Sequence, residues 1–338
     1  MHILNKKLHI VIELNSKIPA LKYGGTERVV WDLGKALINK GHQVTFLVAE
    51  GSKCDFAKVI YLNENVSLNS QIPKDADLVH LNFRLKHDVE KPYLVTVHGN
   101  VSFGQNQDIQ TVFVSKNLAE RYGSKSFVHN GLDWDNYVKP NLSRKRNNFH
   151  FLGNASWKVK NVQGAIAITK LANESLNVLG GYRFNFKMGW RFTFDSHVSF
   201  KGMVDNQEKS KYLNQSKGLI FPVLWHEPFG LALIESLYFG CPIFGTPYGS
   251  LPEIVGKEYG FLSNNEDELI AAIKNPEEFN SLACHNYAKE TFSADEMANK
   301  YLKLYKKILN GEKLNEIEPT LKEEPTARYL PYSPSKNS

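Results

Sequence analysis

The sequence predicts an α/β protein built from two doubly wound parallel sheets. Short apolar, β-branched runs recur along the chain, with amphipathic stretches between them. The runs are continuous rather than alternating, as expected of strands buried on both faces. A length of 338 residues with 42% hydrophobic content supplies two full cores.

The first strand is "LHIVIEL", residues 8–14. It leads into "ALKYGGTERVVWDLGKAL", where Gly24 and Gly25 permit a tight turn and close approach of backbone to a ligand, and Thr26 can cap the following helix. This is not the GxGxxG dinucleotide fingerprint, which occurs nowhere in the chain and whose absence argues against a nicotinamide or flavin enzyme. The runs "QVTFLVA", "ADLVHLN", "PYLVTVH" and "TVFVS" follow as further strands. His98 and Gly99 close one of them at its carboxyl end, where a histidine can hydrogen-bond a hydroxyl or move a proton. A single histidine is more commonly a satisfied structural group; His98 stands out because it shares an edge with the glycine loop.

The polar, basic stretch "DNYVKPNLSRKRNNFH", residues 135–150, is broken by Pro140 and marks the seam between domains at 1–140 and 141–292. The second set of strands is "FHFLG", "LNVLGG", "HVSFKG", "KGLIFPV" and "CPIFGTP". The turn after the first, in "FLGNASWKVKNVQGAIAI", offers Lys158 and Lys160 to a phosphate, though two solvated loop lysines are the simpler reading. Near the end, "FSADEMANKYLKLYKKILNG" has Ser293 as a cap, helical spacing through Met297, Tyr301, Leu304 and Ile308, and Gly311 as a stop. Residues 311–338, rich in Pro, Glu, Lys and Ser, are expected to be loosely ordered.

The segment "YRFNFKMGWRFTF", residues 182–194, alternates strictly, with Tyr182, Phe184, Phe186, Met188, Trp190, Phe192 and Phe194 on one parity. Its length favours a hairpin turning near Met188 and Gly189 over a single strand. The aromatic face is expected to pack inward as core. The competing readings are a stacking platform for single-stranded nucleic acid or, if the face is exposed, a dimer or membrane contact.

Charge excludes little but is informative. The formal net charge of +6 is spread evenly, 17 basic against 14 acidic side chains up to residue 140 and 24 against 21 beyond it. No nucleic-acid signature results, while anionic ligands or an anionic lipid surface remain compatible. Cys54, Cys241 and Cys284 lie far apart with no CxxC pair, which argues against a disulfide framework or zinc site and for a reducing compartment. The opening "MHILNKKLHIVIEL" reads as a first strand, and no signal peptide or membrane span is visible, so a cytoplasmic location is expected. Two patterns are decoys: the DxD-like "DWD" at Asp133–Asp135 lies beside the seam, and sequons such as that at Asn65 carry no weight without a secretion signal.

The most informative stretch is "HEPFGLALIE", residues 226–235. Between the strand "KGLIFPVLW" and the helix "PFGLALIESLYFG", Glu227 sits in a loop at the carboxyl end of a parallel strand, and Glu235 lies about two turns into the helix. Backbone N–H groups at Phe229, Gly230 and Leu231 suit a phosphate. A carboxylate buried among Leu231, Leu233, Ile234 and Leu237 needs a partner. The vicinal hydroxyls of a ribose would serve, and so would a Lys or Arg from elsewhere in the fold.

Taken in order, "YGGTERVVWDLGKALINKGHQVTFLVA", "VTVHGN", "FVHNGLDWDNY", "FLGNASWKVKN" and "FPVLWHEPFGLALIESLYFGCPIFGTPYGSLPEIV" resemble glycosyltransferase family four over roughly residues 8–310. The glutamate pair within EPFGLxxxE, followed by GxP and GSxPE, is the most specific part. The resemblance implies a retaining, metal-independent enzyme of GT-B architecture, with two Rossmann-like domains facing across a cleft and helix 293–310 crossing back to the first. It implies a UDP- or GDP-sugar donor, a saccharide or lipid-linked saccharide acceptor, no further cofactor, and a role in surface polysaccharide assembly, with peripheral contact at the inner membrane face as an option. By that resemblance Glu235 holds the ribose, Glu227 the transferred sugar, Phe229, Gly230 and Leu231 the sugar and diphosphate, Gly24 and Gly25 the diphosphate and acceptor, and His98 the donor sugar. The family's clamp arginine is replaced by Asn154, and its lysine aligns with Lys160 or Lys158. A lysine does not replace an arginine's bidentate geometry. Asn154 makes a sugar-nucleotide binding module with little or no transfer an alternative; a nucleotide-sugar epimerase and, from the aromatic segment, an RNA binder are the others.

Overall fold

A computed structural model describes residues 6–20, 24–82, 88–186, 189–324 and 326–336. The chain divides into two compact units, Met1–Trp134 with Phe292–Pro325, and Asp135–Thr291 with Thr326–Ser338.

The first unit is built on six strands: β1 (His9–Leu14), β2 (Gln43–Val48), β3 (Lys58–Tyr61), β4 (Leu78–Leu81), β5 (Tyr93–Val97) and β6 (Thr111–Phe113). All pair in parallel, in the order β3-β2-β1-β4-β5-β6. Every residue of β1 is buried, His9 and Glu13 included, which is why its run shows no alternation. The Gly25–Asn39 helix lays Val29, Val30, Leu33 and Leu37 onto the sheet. Gly34 lets the Phe46 ring come so close that a Cβ there would lie 2.3 Å from Cζ.

The Ala294–Leu309 helix belongs to this unit. Ser293 caps it, its hydroxyl accepting from the Glu296 N–H at 3.2 Å. Its buried face carries two phenols into a polar network under the sheet: Tyr305 bonds His80 Nδ1 at 2.7 Å, Tyr301 bonds Thr96 at 2.9 Å, and Thr96 bonds His80 Nε2 at 2.8 Å. Burial pushes His80 down to about 3, so the ring stays neutral and every member of the network is satisfied.

The second unit repeats the plan with β7 (Asn148–Leu152), β8 (Leu176–Leu179), β9 (Phe184–Asn185), β10 (Arg191–Phe192), β11 (Val198–Phe200), β12 (Ser216–Phe221), β13 (Ile243–Gly245) and β14 (Gly260–Leu262). Six of these form a parallel sheet in the order β11-β8-β7-β12-β13-β14. Both sheets therefore reverse strand order once, between β1 and β4 in the first and between β7 and β12 in the second. Open α/β sheets bind ligands in the crevice beyond the carboxyl ends of strands at such a reversal.

One expectation is overturned. β9 and β10 do form an antiparallel hairpin, Phe184 opposite Phe192 and Asn185 opposite Arg191, but its aromatic face points outward. Tyr182, Phe186, Trp190 and Phe194 are 65%, 66%, 78% and 79% exposed, while Arg191 and Thr193 on the other parity are buried. The reason lies in carbonyls of the ribbon's own flanks and of β11, which need donors that rings cannot supply. Arg183 donates to the carbonyls of Thr193, Asp195 and Val198, Arg191 donates to Tyr182 at 2.9 Å, and both guanidinium groups lie over Phe200. The turn at Met188 falls outside the described residues; Gly189 beside it has φ 107°.

The tail makes contacts at several points. Gln107 N–H bonds the Pro319 carbonyl at 2.7 Å, and Asn315 Nδ2 bonds the Ile109 and Thr111 carbonyls at 2.9 Å each. Farther on, Leu330 N–H bonds Leu224 at 2.8 Å and Glu266 N–H bonds Ser333 at 2.9 Å. Single anchoring residues such as Asn315 and the buried Leu321 do this work, and composition averages them away.

Candidate active site

In the first unit, Gly24 and Gly25 follow β1 at the strand-order reversal. Gly24 is the N-cap of the Gly25–Asn39 helix, and a Cβ on it would lie 2.8 Å from Glu27 Oε2 and 2.9 Å from Ala20 Cβ. The loop is braced by Ser16, whose hydroxyl donates to Glu27 Oε1 at 2.7 Å. Residues 21–23 of the loop lie outside the described set.

His98 follows β5 and lines a cavity of about 360 Å³ together with Thr26, Asn82 and Gly99. Its Nε2 lies 2.9 Å from Asn82 Oδ1, and Asn82 Nδ2 donates to the Glu13 carbonyl at 2.9 Å. That second bond fixes the amide orientation, so Oδ1 accepts and His98 Nε2 carries the proton. Nδ1 is left as an acceptor, and burial pushes the imidazole down to about 4, keeping the ring neutral. Such a ring accepts a hydrogen bond from a substrate hydroxyl rather than bearing charge. Asn82 directly follows β4, and nothing in its sequence context marks it.

In the second unit, the loops after β7 and β12 meet at the other reversal. Lys160 Nζ contacts Glu227 Oε2 at 2.6 Å, and Trp225 Nε1 donates to the same oxygen at 2.8 Å. Both ions are almost fully buried, Lys160 at 8% and Glu227 at 5% exposure, and the ammonium lies 5.1 Å from the ring centres of Phe221 and Trp225. The loop is built around this carboxylate. Ser250 N–H donates to the Glu227 carbonyl at 2.9 Å, its hydroxyl donates to the Phe229 carbonyl at 2.6 Å, and Gly249 packs so tightly that a Cβ would lie 2.2 Å from Glu227 N. Gly249 also has φ 64°, which favours glycine. The "GSLPE" stretch is thereby explained as the brace of the "HEPFG" loop.

Lys158 does not join Lys160. It is exposed, and its side chain runs toward the ribbon, where a Cβ on Gly189 would meet its Cε at 2.8 Å. Asn154 spends its side-chain oxygen on the Ser156 N–H at 3.0 Å, a turn that shapes the loop. Phe229 is buried, Gly230 caps the Leu231–Tyr238 helix in the left-handed region at φ 82°, and Leu231 opens the helix.

Glu235 is 2% exposed and already partnered within its own unit. Its Oε1 accepts from Tyr137 OH at 2.7 Å and from the ammonium of Lys209, which is equally buried. Of the two readings open from sequence, a lysine from elsewhere is the one realised. Burial of Glu235 therefore does not by itself require a ligand. Lys209 and Tyr137 carried no signal that sequence reasoning could use. The "DWD" stretch is likewise accounted for in part: Asp133 pairs with Lys35 at 2.7 Å. Among the described residues no cluster of three or more His, Cys, Asp or Glu could hold a metal ion, and no helix is long and apolar enough to cross a membrane.

Residues 135–291, the main body of the second unit, match the family model for glycosyl transferases group 1. The second unit is a group 1 glycosyltransferase domain. Among curated proteins, the chain is 31% identical over 117 residues, about a third of either chain, to an uncharacterized 41.2 kDa protein in the cps region of Klebsiella pneumoniae. It is 22% identical to N-acetyl-alpha-D-glucosaminyl L-malate synthase of Bacillus anthracis, over 87% of this chain and 97% of that one. Among solved structures, it resembles AviGT4, a glycosyltransferase involved in avilamycin A biosynthesis, at a TM-score of 0.72 and 17% identity, covering 90% of this chain and 98% of that one. It also resembles Anabaena Alr3699/HepE, solved with UDP and glucose, at a TM-score of 0.62 and 15% identity, covering 88% and 98%. The group 1 domain thus sits in a chain with the GT-B fold, two Rossmann-like parallel sheets with helices.

Proposed function

We propose that this protein is a retaining, metal-independent glycosyltransferase that moves a hexose from a nucleoside diphosphate sugar, with UDP favoured, to an acceptor hydroxyl. The observation that carries the reading is the buried Lys160–Glu227 pair beside the N-terminus of the Leu231–Tyr238 helix. An ammonium and a helix N-terminus suit the leaving diphosphate, and a carboxylate next to them suits the sugar's hydroxyls. The Anabaena protein's complex with UDP and glucose supports the donor class.

In this mechanism the bond between the sugar's anomeric carbon and the diphosphate oxygen breaks, its electron pair leaving with the phosphate toward Lys160 and the helix N–H groups. The acceptor oxygen forms its new bond on the same face, and its proton passes to the departing phosphate oxygen. Glu227 orients the sugar and steadies the positive charge that develops on it, and neutral His98 accepts a hydrogen bond from a donor-sugar hydroxyl. Gly24 and Gly25 give the acceptor and diphosphate close access to backbone. Glu235 receives the ribose hydroxyls in place of Tyr137, with Lys209 retained as its counter-ion. The domain limits that go with this reading are 1–140 with helix 293–310, and 141–292. A role in surface polysaccharide assembly is supported by the relative in the Klebsiella cps region.

With native donor and acceptor, Glu227→Gln should lower transfer by about 10²-fold or more, as removal of a positioned charge-stabilising group does. Undiminished transfer would sink the assignment. A second reading, sugar-nucleotide binding with little transfer, is favoured by Asn154, whose carbonyl is spent on Ser156. Donor binding without turnover in the wild-type protein would select it.

A further inference from the structure

The β9–β10 ribbon carries an aromatic layer outside and a cation inside. Phe184, Phe186, Trp190, Phe192 and Phe194 pack on one another with ring centres 5.8 to 6.5 Å apart, so the layer is ordered before anything covers it. A contiguous apolar face of this kind on a folded protein marks an interaction surface. At its edge lies a cavity of about 420 Å³ bordered by Trp157, Lys158, Gln163, Asn185, Trp190 and Arg191. Among the described residues of its lining, Lys158 and Arg191 carry charge and there is no carboxylate. Arg191 is 8% exposed, and its Nε and Nη1 have no hydrogen-bond partner. A guanidinium buried with two open donors is costly unless an anion meets them.

These features point to one occupant. The described outward positions of the ribbon are all aromatic, with Tyr182 and Trp190 of the kind that settles at the headgroup level of a bilayer and the phenylalanines supplying apolar surface, and the cations at its edge call for phosphate. Pairing the aromatic face with itself would bring no anion to Arg191. We propose that the ribbon docks this protein on an anionic phospholipid surface, the rings of Phe186, Trp190 and Phe194 entering the headgroup layer while Arg191 and Lys158 take a lipid phosphate. The cavity shares the Lys158–Lys160 turn with the proposed donor site but Lys160 and Glu227 are not among its described lining, so F186S/W190S losing vesicle binding while keeping UDP binding distinguishes this proposal from that one.

The test is cosedimentation of the full chain with vesicles of phosphatidylcholine alone and of phosphatidylcholine with phosphatidylglycerol. Binding should require phosphatidylglycerol and weaken as salt is raised. The double variant F186S/W190S, altered at exposed positions, should partition at least about tenfold less while melting as the wild type does. Arg191→Gln should reduce binding to the anionic vesicles; if that variant melts lower, Lys158→Gln, at an exposed position, takes its place. Absence of binding, equal binding by F186S/W190S, or a wild-type dimer that this variant dissociates would each overturn the proposal, the last assigning the face to a second copy.

Discussion

The loop after β12 and the β9–β10 ribbon belong to the same unit and treat charge and apolar surface in opposite ways. In the first, two glutamates are drawn into an apolar strand-loop-helix segment, and each is met by a buried lysine, Lys160 or Lys209. In the second, six aromatic side chains are left outside and Arg191 is drawn in without a carboxylate. Burial of a charge is thus tied to a local partner in one region and left open in the other. Where the partner is built in, the buried charge is satisfied within the fold; where it is missing, the proposed anion would supply it.

The comparison can be broken by substitution, and the largest effects belong to the first region. Glu235→Ala leaves Lys209 buried and uncompensated, and should cost about 3 to 5 kcal/mol, read as a lowered denaturation midpoint of the second unit. Replacing both partners together with apolar residues, E235L/K209M, should recover most of that loss. A similar loss with and without Lys209 would mean that the pair is not the reason for the burial. Phe151→Ala in β7 should likewise cost about 3 to 5 kcal/mol through an unfilled cavity. Phe186→Ser in the ribbon should change stability by no more than about 0.5 kcal/mol, because its ring is exposed. Equal losses at Phe151 and Phe186 would show that the aromatic layer is core after all.

Smaller effects sharpen the same contrast. Ser250→Ala should cost about 1 kcal/mol and loosen the "HEPFG" loop, since the hydrogen bond from the Ser250 hydroxyl to the Phe229 carbonyl is lost. Asp32 in the first unit is a buried carboxyl that burial pushes up to about 7, against the N–H it accepts from Asp133. Below the usual carboxylate range both folded and unfolded chains hold this proton. As pH rises toward 7 the unfolded chain releases it first, so this group makes the fold progressively less stable. Asp32→Asn should therefore gain stability relative to wild type as pH rises from 5 to 7, measured by melting at each pH, with a constant difference counting against the buried, neutral carboxyl.

Much of the fold was legible. Continuous apolar runs located the parallel strands, and strand-end placement pointed to His98 and Glu227 as candidates, with Gly24 in the loop after the first strand. What stayed hidden has common physical causes. Periodicity told that Phe184 and Phe192 share a face, but not which face is buried, because that depends on the carbonyls that Arg183 and Arg191 must satisfy. The partners of Glu235 are 26 and 98 residues away, and nothing local distinguishes Lys209 or Tyr137 from a solvated lysine or a core tyrosine. The choice between Lys158 and Lys160 turned on a short 3-10 turn, Lys158–Lys160, that sends two lysines two residues apart in different directions. Asn82 acts through His98 and carries no pattern of its own.

The central claim is that the Lys160–Glu227 pair marks a diphosphate-sugar site. Calorimetric titration of the wild-type protein and of Lys160→Met with UDP tests it most directly. The account predicts saturable binding by the wild type and at least tenfold weaker binding by the variant, about 1.4 kcal/mol or more. Failure of the wild type to bind UDP or any other nucleoside diphosphate, or undiminished binding by Lys160→Met, would contradict it.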